Sequence, residues 1–387
     1  MIRNISVGID IGTNTTRVVV GEFLKGEKNP KIIGVGESET KGMRHGYIVN
    51  VPEAVSSLKK AVLLAEKTSE IKIKRAFIAI GGTTLRSEIT SGSAIISKAD
   101  SEVTNLDISK ALEECETNLA LGNKKIIYEA PLSFKLDGKE VLGKPEGMHG
   151  NKLEIKAVFI TSSAKHWEDL MDVIAGAGVE PVYVTSSIMA GSHLVLSSRQ
   201  RMVGTALVDI GAETVSLGVF ENESLISLHT FPIGSSDITN DIALGLKIPL
   251  EKAEIFKISN NGEEYSKKKL DEIVEARLTD IFELIENHLK KIKRNELLPA
   301  GIVFIGGGSN ISELDFLSKN ILKLPSKVGT TEIFGNTKTK LRDPSWYVAL
   351  GLITSSKDKE DYVEGSIPNL LKDLKTSLKS MVKQLMP

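Results

Sequence analysis

The sequence predicts an α/β fold of two related half-domains around a cleft, with a small α+β subdomain inserted into the first. Two observations carry this. A strand–turn–strand segment occurs twice, roughly two hundred residues apart, and a distinct block of extended runs interrupts the first half before its pattern resumes.

Residues 7–22, VGIDIGTNTTRVVVGE, return as residues 206–221, ALVDIGAETVSLGVFE. In each copy a β-branched run ends in Asp-Ile-Gly, turns to a Thr (Thr15, Thr214) and resumes as a second apolar run. Face to face, the copies would bring Asp10, Asp209 and the turns at Gly12 and Gly211 to one cleft. Backbone N–H groups of such turns can ring a phosphate chain, and the two carboxylates can orient a hydrated Mg²⁺. A third turn, Gly306-Gly307-Gly308-Ser309, ends the apolar strand expected over 301–305 and opens a helix expected over 312–322. Its bare backbone lets a flat purine or ribose approach. Together the three turns predict a nucleotide site.

In chain order, the first hairpin is followed by a strand at 31–37, a helix at 53–66 and a strand at 75–80. Pro52 suits the helix start through its fixed φ and missing N–H. The block 85–163 reads as the insertion: a strand at 93–96, a helix at 105–119, and extended runs at 125–134 and 152–160 separated by a Gly/Pro-rich stretch. A helix at 164–175 and a strand at 181–185 restore the first half, and 186–196 crosses to the second. There a charged helix at 268–293 carries an apolar stripe from Ile273 to Leu289. The expected partition is first half 1–84, insert 85–163, first half again 164–200, second half 201–345, a return at 346–353, a polar linker 354–368 and a final helix 369–387.

Composition excludes several functions. Lys plus Arg is 49 against 50 Asp plus Glu, without a basic-aromatic surface, so nucleic acid is not an expected partner. The single cysteine, Cys115, rules out an internal disulfide framework and fits a reducing compartment. The chain runs straight into a strand without a signal-like apolar segment, and no window reaches the length of a membrane span. A place in the cytosol, or on the cytoplasmic face of a membrane, is expected. Gly138 and Gly143-Lys144 have P-loop spacing, but Pro145 stands where Mg²⁺ needs Ser or Thr, so this reads as a surface turn.

The final segment points to that membrane face. Leu370, Leu371, Leu374, Leu378, Met381, Val382 and Leu385 fall within an arc of roughly 120° at 100° per residue, and Lys372, Lys375, Lys379 and Lys383 lie outside it. Basic residues opposite an apolar stripe suit a helix lying in an anionic membrane surface. Each lysine contributes about 1 kcal/mol there, so one copy binds weakly and linked copies bind by avidity.

The chain resembles the actin-like ATPase superfamily and, within it, the FtsA family of bacterial cell-division proteins. The resemblance covers residues 5–353 and rests on specific stretches: 40–51 (TKGMRHGYIVNV), 145–150 (PEGMHG) with Leu153, 231–246 (FPIGSSDITNDIALGL), 273–285 (IVEARLTDIFELI) and 343–352 (DPSWYVALGL). It implies an actin-like fold whose smaller subdomain is replaced by the insert, ATP and Mg²⁺ between the halves, and self-polymerisation at the membrane. It further implies anchoring of the tubulin-like division protein FtsZ, and other division proteins as partners. By position, Asp10, Gly12, Thr13, Asn14 and Thr15 fall in the first phosphate loop, and Asp209, Gly211, Ala212 and Glu213 in the second. Arg17 falls where actins carry a phosphate-contacting lysine, with a structural role on the strand as the alternative. Gly306, Gly307, Gly308 and Ser309 match the adenosine loop, and Lys252 and Glu254 lie near the region that reaches base or ribose.

The departures concern hydrolysis. Many relatives carry an acidic residue before the crossing helix and a glycine-rich second loop ending in Asp. Here those positions read Ser187 and Ala212, Glu213, Val215, Ser216. A water-activating group must sit about 3 Å from the water, and a plain serine hydroxyl is a poor base. Weak or absent hydrolysis is expected, with ATP as a structural ligand and Glu213 as the remaining carboxylate able to position water. The residues leave open a pilus-assembly adaptor or a small-molecule kinase of the same superfamily, and glycines do not distinguish ATP from GTP.

Overall fold

The computed structural model describes residues 4–27, 29–259, 267–331, 333 and 339–356. The expected linker beyond 356 and the amphipathic segment 369–387 lie outside the described residues.

The hairpin repeat extends into a duplication of the whole sheet. In the first half the spatial order is Glu180–Ser186, Arg75–Ile80, Asn4–Ile11, Thr15–Phe23, Lys31–Glu39. In the second it is Ser326–Val328, Ile302–Ile305, Thr205–Ile210, Val215–Glu221, Ser224–Phe231. Each order is the same relative to its hairpin, with parallel strands on one side and an antiparallel strand on the other. The β-branched runs belong to strands covered on both faces: Val18, Val19 and Val20 are fully buried. The hairpins match in register, Asp10 opposite Arg17 and Asp209 opposite Ser216. Each turn closes alike, Gly12 N–H donating to Thr15 O at 3.2 Å and Gly211 N–H to Thr214 O at 2.8 Å.

The helix after Pro52 is longer at both ends than its apolar stripe suggested, spanning Val51–Ser69. The Asn50 side chain accepts from the Glu53 N–H at the start, and Glu70 ends it in the left-handed region at φ 57°. It lies on strand Lys31–Glu39 where Gly36 leaves no room for a Cβ beside the Ala61 carbonyl. Between the sheets run two short helices, Ser187–Val195 and Tyr347–Thr354, crossing where Gly351 meets the Ala190 backbone. The charged helix, Lys267–Lys291, packs Leu278, Ile281, Phe282, Ile285 and Leu289 on the outer face of the second sheet against Phe304.

The insert has strands Arg86–Ile95, Lys124–Leu136, Lys139–Val141 and Lys152–Ser163, with helix Asn105–Thr117 held by a Thr104/Asp107 capping box. Its own core gathers Val103, Ala111, Cys115, Phe134, Leu153 and Phe159. The first of these strands begins well before the expected 93–96. Its early residues are mostly polar and half exposed, Ile89 among them the exposed apolar exception, so the apolar signal gathers only near its end. That strand extends the second half's sheet through the Arg86–His229 pair, where Arg86 Nη1 donates to His229 Nδ1 at 2.9 Å. Burial first, then Arg86 and Lys291, push His229 down to about 4, keeping Nδ1 free to accept. Gly138 and Gly143 lie in open turns, as Pro145 indicated.

Candidate functional site

Both Asp-Ile-Gly turns open on one cavity of about 420 Å³ between the halves. The first hairpin lines it with Asp10, Gly12, Thr13, Asn14, Thr15 and Arg17, and the second with Asp209, Gly211, Ala212 and Thr214. Gly306, Gly307 and Gly308 form a further wall. Gly306 is in the left-handed region at φ 87°, and a Cβ there would collide with Asp209 Oδ1, so glycine lets the carboxylate rest on the backbone. The glycine run forms a single 3₁₀ turn, Gly307–Asn310, and the following helix starts only at Leu314. Tight i to i+3 geometry is what consecutive glycines permit here.

Asp10 and Asp209 oppose each other electrostatically. Enclosure by protein, offset in part by Arg17, raises Asp10 to about 6. Enclosure and the Asp10 charge, again offset by Arg17, raise Asp209 to about 7. The two titrate as a pair. Raised carboxylates make the ligand-free fold hold protons that the unfolded chain releases, so their contribution to stability falls as pH rises from about 4 through 7. Denaturation between pH 5 and 8 is therefore expected to show the natural protein losing stability relative to an Asp10→Asn/Asp209→Asn double variant. Parallel curves would contradict this. Two facing oxygen donors that repel one another suit a hard divalent cation, held directly or through water.

Arg17 is shared. Its Nη2 lies 3.2 Å from Glu37 Oε1 and its guanidinium carbon 5.5 Å from the centre of the Trp346 ring, while Nε is buried without a partner among the described residues. Glu37 also holds Lys340, which sits over the same ring. Arg17 is thus held on its strand by Glu37 and Trp346 and at the same time lines the cavity.

Three expected residues stand off the cavity wall. The Glu213 carboxylate turns away to accept from the His45 N–H at 2.7 Å. Ser309 is buried and donates to Gly306 O at 2.7 Å, fastening the turn. Lys252 lies over Phe256, its Nζ 5.6 Å from the ring centre. Positions 252 and 254 are about 200° apart on a helix, so both cannot face one cleft. Glu254 faces it, and with it Lys257, three residues on, whose ammonium contacts Glu254 at 2.7 Å and Thr239 Oγ1 at 2.8 Å. Lys257 was missed, although i,i+3 spacing from Glu254 was a usable signal.

Also missed were Gly81 and Gly82, which line the cavity from the first half. Ile80-Gly81-Gly82 ends its strand as Ile305-Gly306-Gly307 ends the equivalent one, so the third glycine turn is duplicated too. The gap of one glycine in the motif hid the match. Gly46, Ser187, Ser216, Asp343 and Ser345 complete much of the remaining wall.

Among known proteins, the cell division protein FtsA from Streptococcus pneumoniae is 30% identical over 349 residues, covering 83% of this chain and 76% of its own. The chain belongs to the FtsA family. The family pattern "Cell division protein FtsA" matches residues 206–351, and "SHS2 domain inserted in FTSA" matches residues 82–161. The FtsA of Bacillus subtilis is 28% identical over 369 residues, 90% of this chain and 82% of that protein. Among solved structures, the PilM-PilN type IV pilus biogenesis complex has a TM-score of 0.68 at 18% identity, covering 90% of this chain and 97% of that one. MreB5 of Spiroplasma citri bound to AMPPNP has a TM-score of 0.55 at 14% identity, covering 94% and 99%. These likenesses establish an actin-like fold, and the FtsA relatives make this a cell-division actin-like protein. Among the described residues no helix is long and apolar enough to cross a membrane.

Proposed function

We propose that this FtsA-family chain binds Mg-ATP in the cleft, that the bound nucleotide holds the halves in a polymer-forming state, and that the polymer anchors FtsZ filaments to the cytoplasmic membrane at the division site. The observation that carries the reading is the pair Asp10 and Asp209, set on matched glycine turns at one cavity with carboxylates raised by enclosure. Backbone N–H groups of both turns would bind phosphate oxygens, and the carboxylates would hold Mg²⁺, which neutralises phosphate charge. Glu254 and Lys257 would face base or ribose. Besides Asp10 and Asp209, the acidic residues on the wall are Glu254, held by Thr239 and Lys257, and Asp343, whose Oδ1 accepts from the Ser345 N–H at 2.8 Å. Glu254 and Asp343 are thus engaged in hydrogen bonds and Asp10 and Asp209 are assigned to the metal, which supports slow or absent hydrolysis.

Membrane attachment rests on the segment 369–387. Since each copy binds weakly, assembly governs residence. Purified protein should sediment with anionic liposomes in Mg-ATP, with filaments in the pellet by electron microscopy. Deleting 369–387 is expected to reduce sedimentation at least about tenfold while leaving ATP uptake unchanged. Undiminished sedimentation of the deletion would refute the membrane role, and calorimetry without adenine-nucleotide uptake by folded protein would refute the whole reading.

A further inference from the structure

A polar contact joins the halves beside the cavity, and the nucleotide reading does not require it. Two short strands, Met43–Arg44 and Tyr47–Ile48, present the loop His45-Gly46 to the second phosphate turn. The His45 N–H donates to Glu213 Oε2 at 2.7 Å, and His45 Nδ1, as a donor in the matching tautomer, lies 3.1 Å from Glu213 O. His45 holds φ 47°, a region rarely occupied by residues other than glycine. Such a backbone persists only where its surroundings fix it.

The other end of the loop is tied to the first half. The Gly46 N–H donates to Thr13 Oγ1 at 3.0 Å. Gly46, at φ 70°, packs on Gly82 so tightly that a Cβ would lie 2.5 Å from Gly82 Cα. The chain thus runs from the first half's phosphate turn, over the cleft, to the second half's. Opening the halves must break the His45–Glu213 bond.

We propose that Glu213 is a positioning residue that fastens this loop as a strap across the phosphate end of the cleft and so sets how long nucleotide stays. The proposal rests on nucleotide occupying the cleft. It replaces the water-positioning role expected from sequence: the carboxylate is directed at His45, off the cavity wall. A strap needs an acceptor oxygen and no basicity, whereas a general base needs a proton-accepting carboxylate.

That difference decides the test, made on the full chain. In hydrogen exchange, residues 43–48 of the natural protein should be protected. Glu213→Ala should expose them and speed release of a fluorescent ATP analogue about tenfold, as expected for one half-exposed bond to a charged acceptor. Glu213→Gln, whose amide oxygen accepts the same bond, should restore both. If exchange at 43–48 and analogue release are unmoved in Glu213→Ala, or if Gln fails as fully as Ala, the strap is overturned. Absence of analogue uptake by the natural protein would instead sink the nucleotide reading, and the exchange measurement would still decide whether the contact exists.

Discussion

Asp10→Asn and Asp209→Asn are each expected to lower Mg-ATP affinity at least about a hundredfold, measured by calorimetry at neutral pH; orienting carboxylates around a metal are typically worth 10–100-fold even when they act indirectly. The asparagine keeps the size of the side chain and removes the charge that a cation requires. In the ligand-free protein that same charge is unfavourable, because enclosure and the facing carboxylate both oppose ionisation. The variants should therefore be no less stable than the natural protein above pH 7, and lost binding cannot be assigned to unfolding. Protons supply a second readout. Between pH 6 and 7 the free pair retains protons that a bound cation must expel, so binding should release protons there and tighten as pH rises. Titrations in two buffers of different ionisation enthalpy would detect the release. Retained affinity in both variants, or binding without proton release, would place the metal elsewhere.

Gly351→Ala is expected to destabilise the fold by more than about 3 kcal/mol, read as a lowered urea midpoint, because it forces backbone apart at a packed crossing. A Cβ at Gly351 would overlap the Ala190 carbonyl oxygen, and Gly191 behind it already touches the Ile305 side chain. Backbone cannot turn aside as a flexible side chain can. Trimming Ala190 to glycine should give no rescue, since the obstacle is its carbonyl, and Gly351→Val should be at least as harmful. An unchanged midpoint for Gly351→Ala would mean that the two central helices are not held this closely.

The duplication was legible because hairpins write themselves locally: a continuous β-branched or apolar run, a glycine turn and a second such run occupy sixteen contiguous residues in each copy, 7–22 and 206–221. The cleft followed, since Asp10 and Asp209 end equivalent strands. Long-range features were less visible. The strand Arg86–Ile95 is half exposed along its first turns of chain, and only pairing with Lys152–Ser163 defines it. Which of Lys252, Glu254 and Lys257 face the cavity was not legible, because a short helix with almost no apolar asymmetry, Leu250–Ser259, offers no stripe to orient it. The sequence pointed Glu213 at the water, whereas its carboxylate accepts from His45, 168 positions away in sequence, and no local pattern announces such a bond.

The two hairpins and two Ile-Gly-Gly strand ends make a nearly two-fold cup, and a symmetric cup cannot tell one end of an unsymmetrical guest from the other. The choice must come from what the repeat failed to copy. Arg17 stands where its mirror position carries Ser216, and the Glu254–Lys257 pair belongs to the second half alone. In the proposed nucleotide complex the guest's direction would be set by such mismatches, and exchanging them between halves would be the way to turn it around.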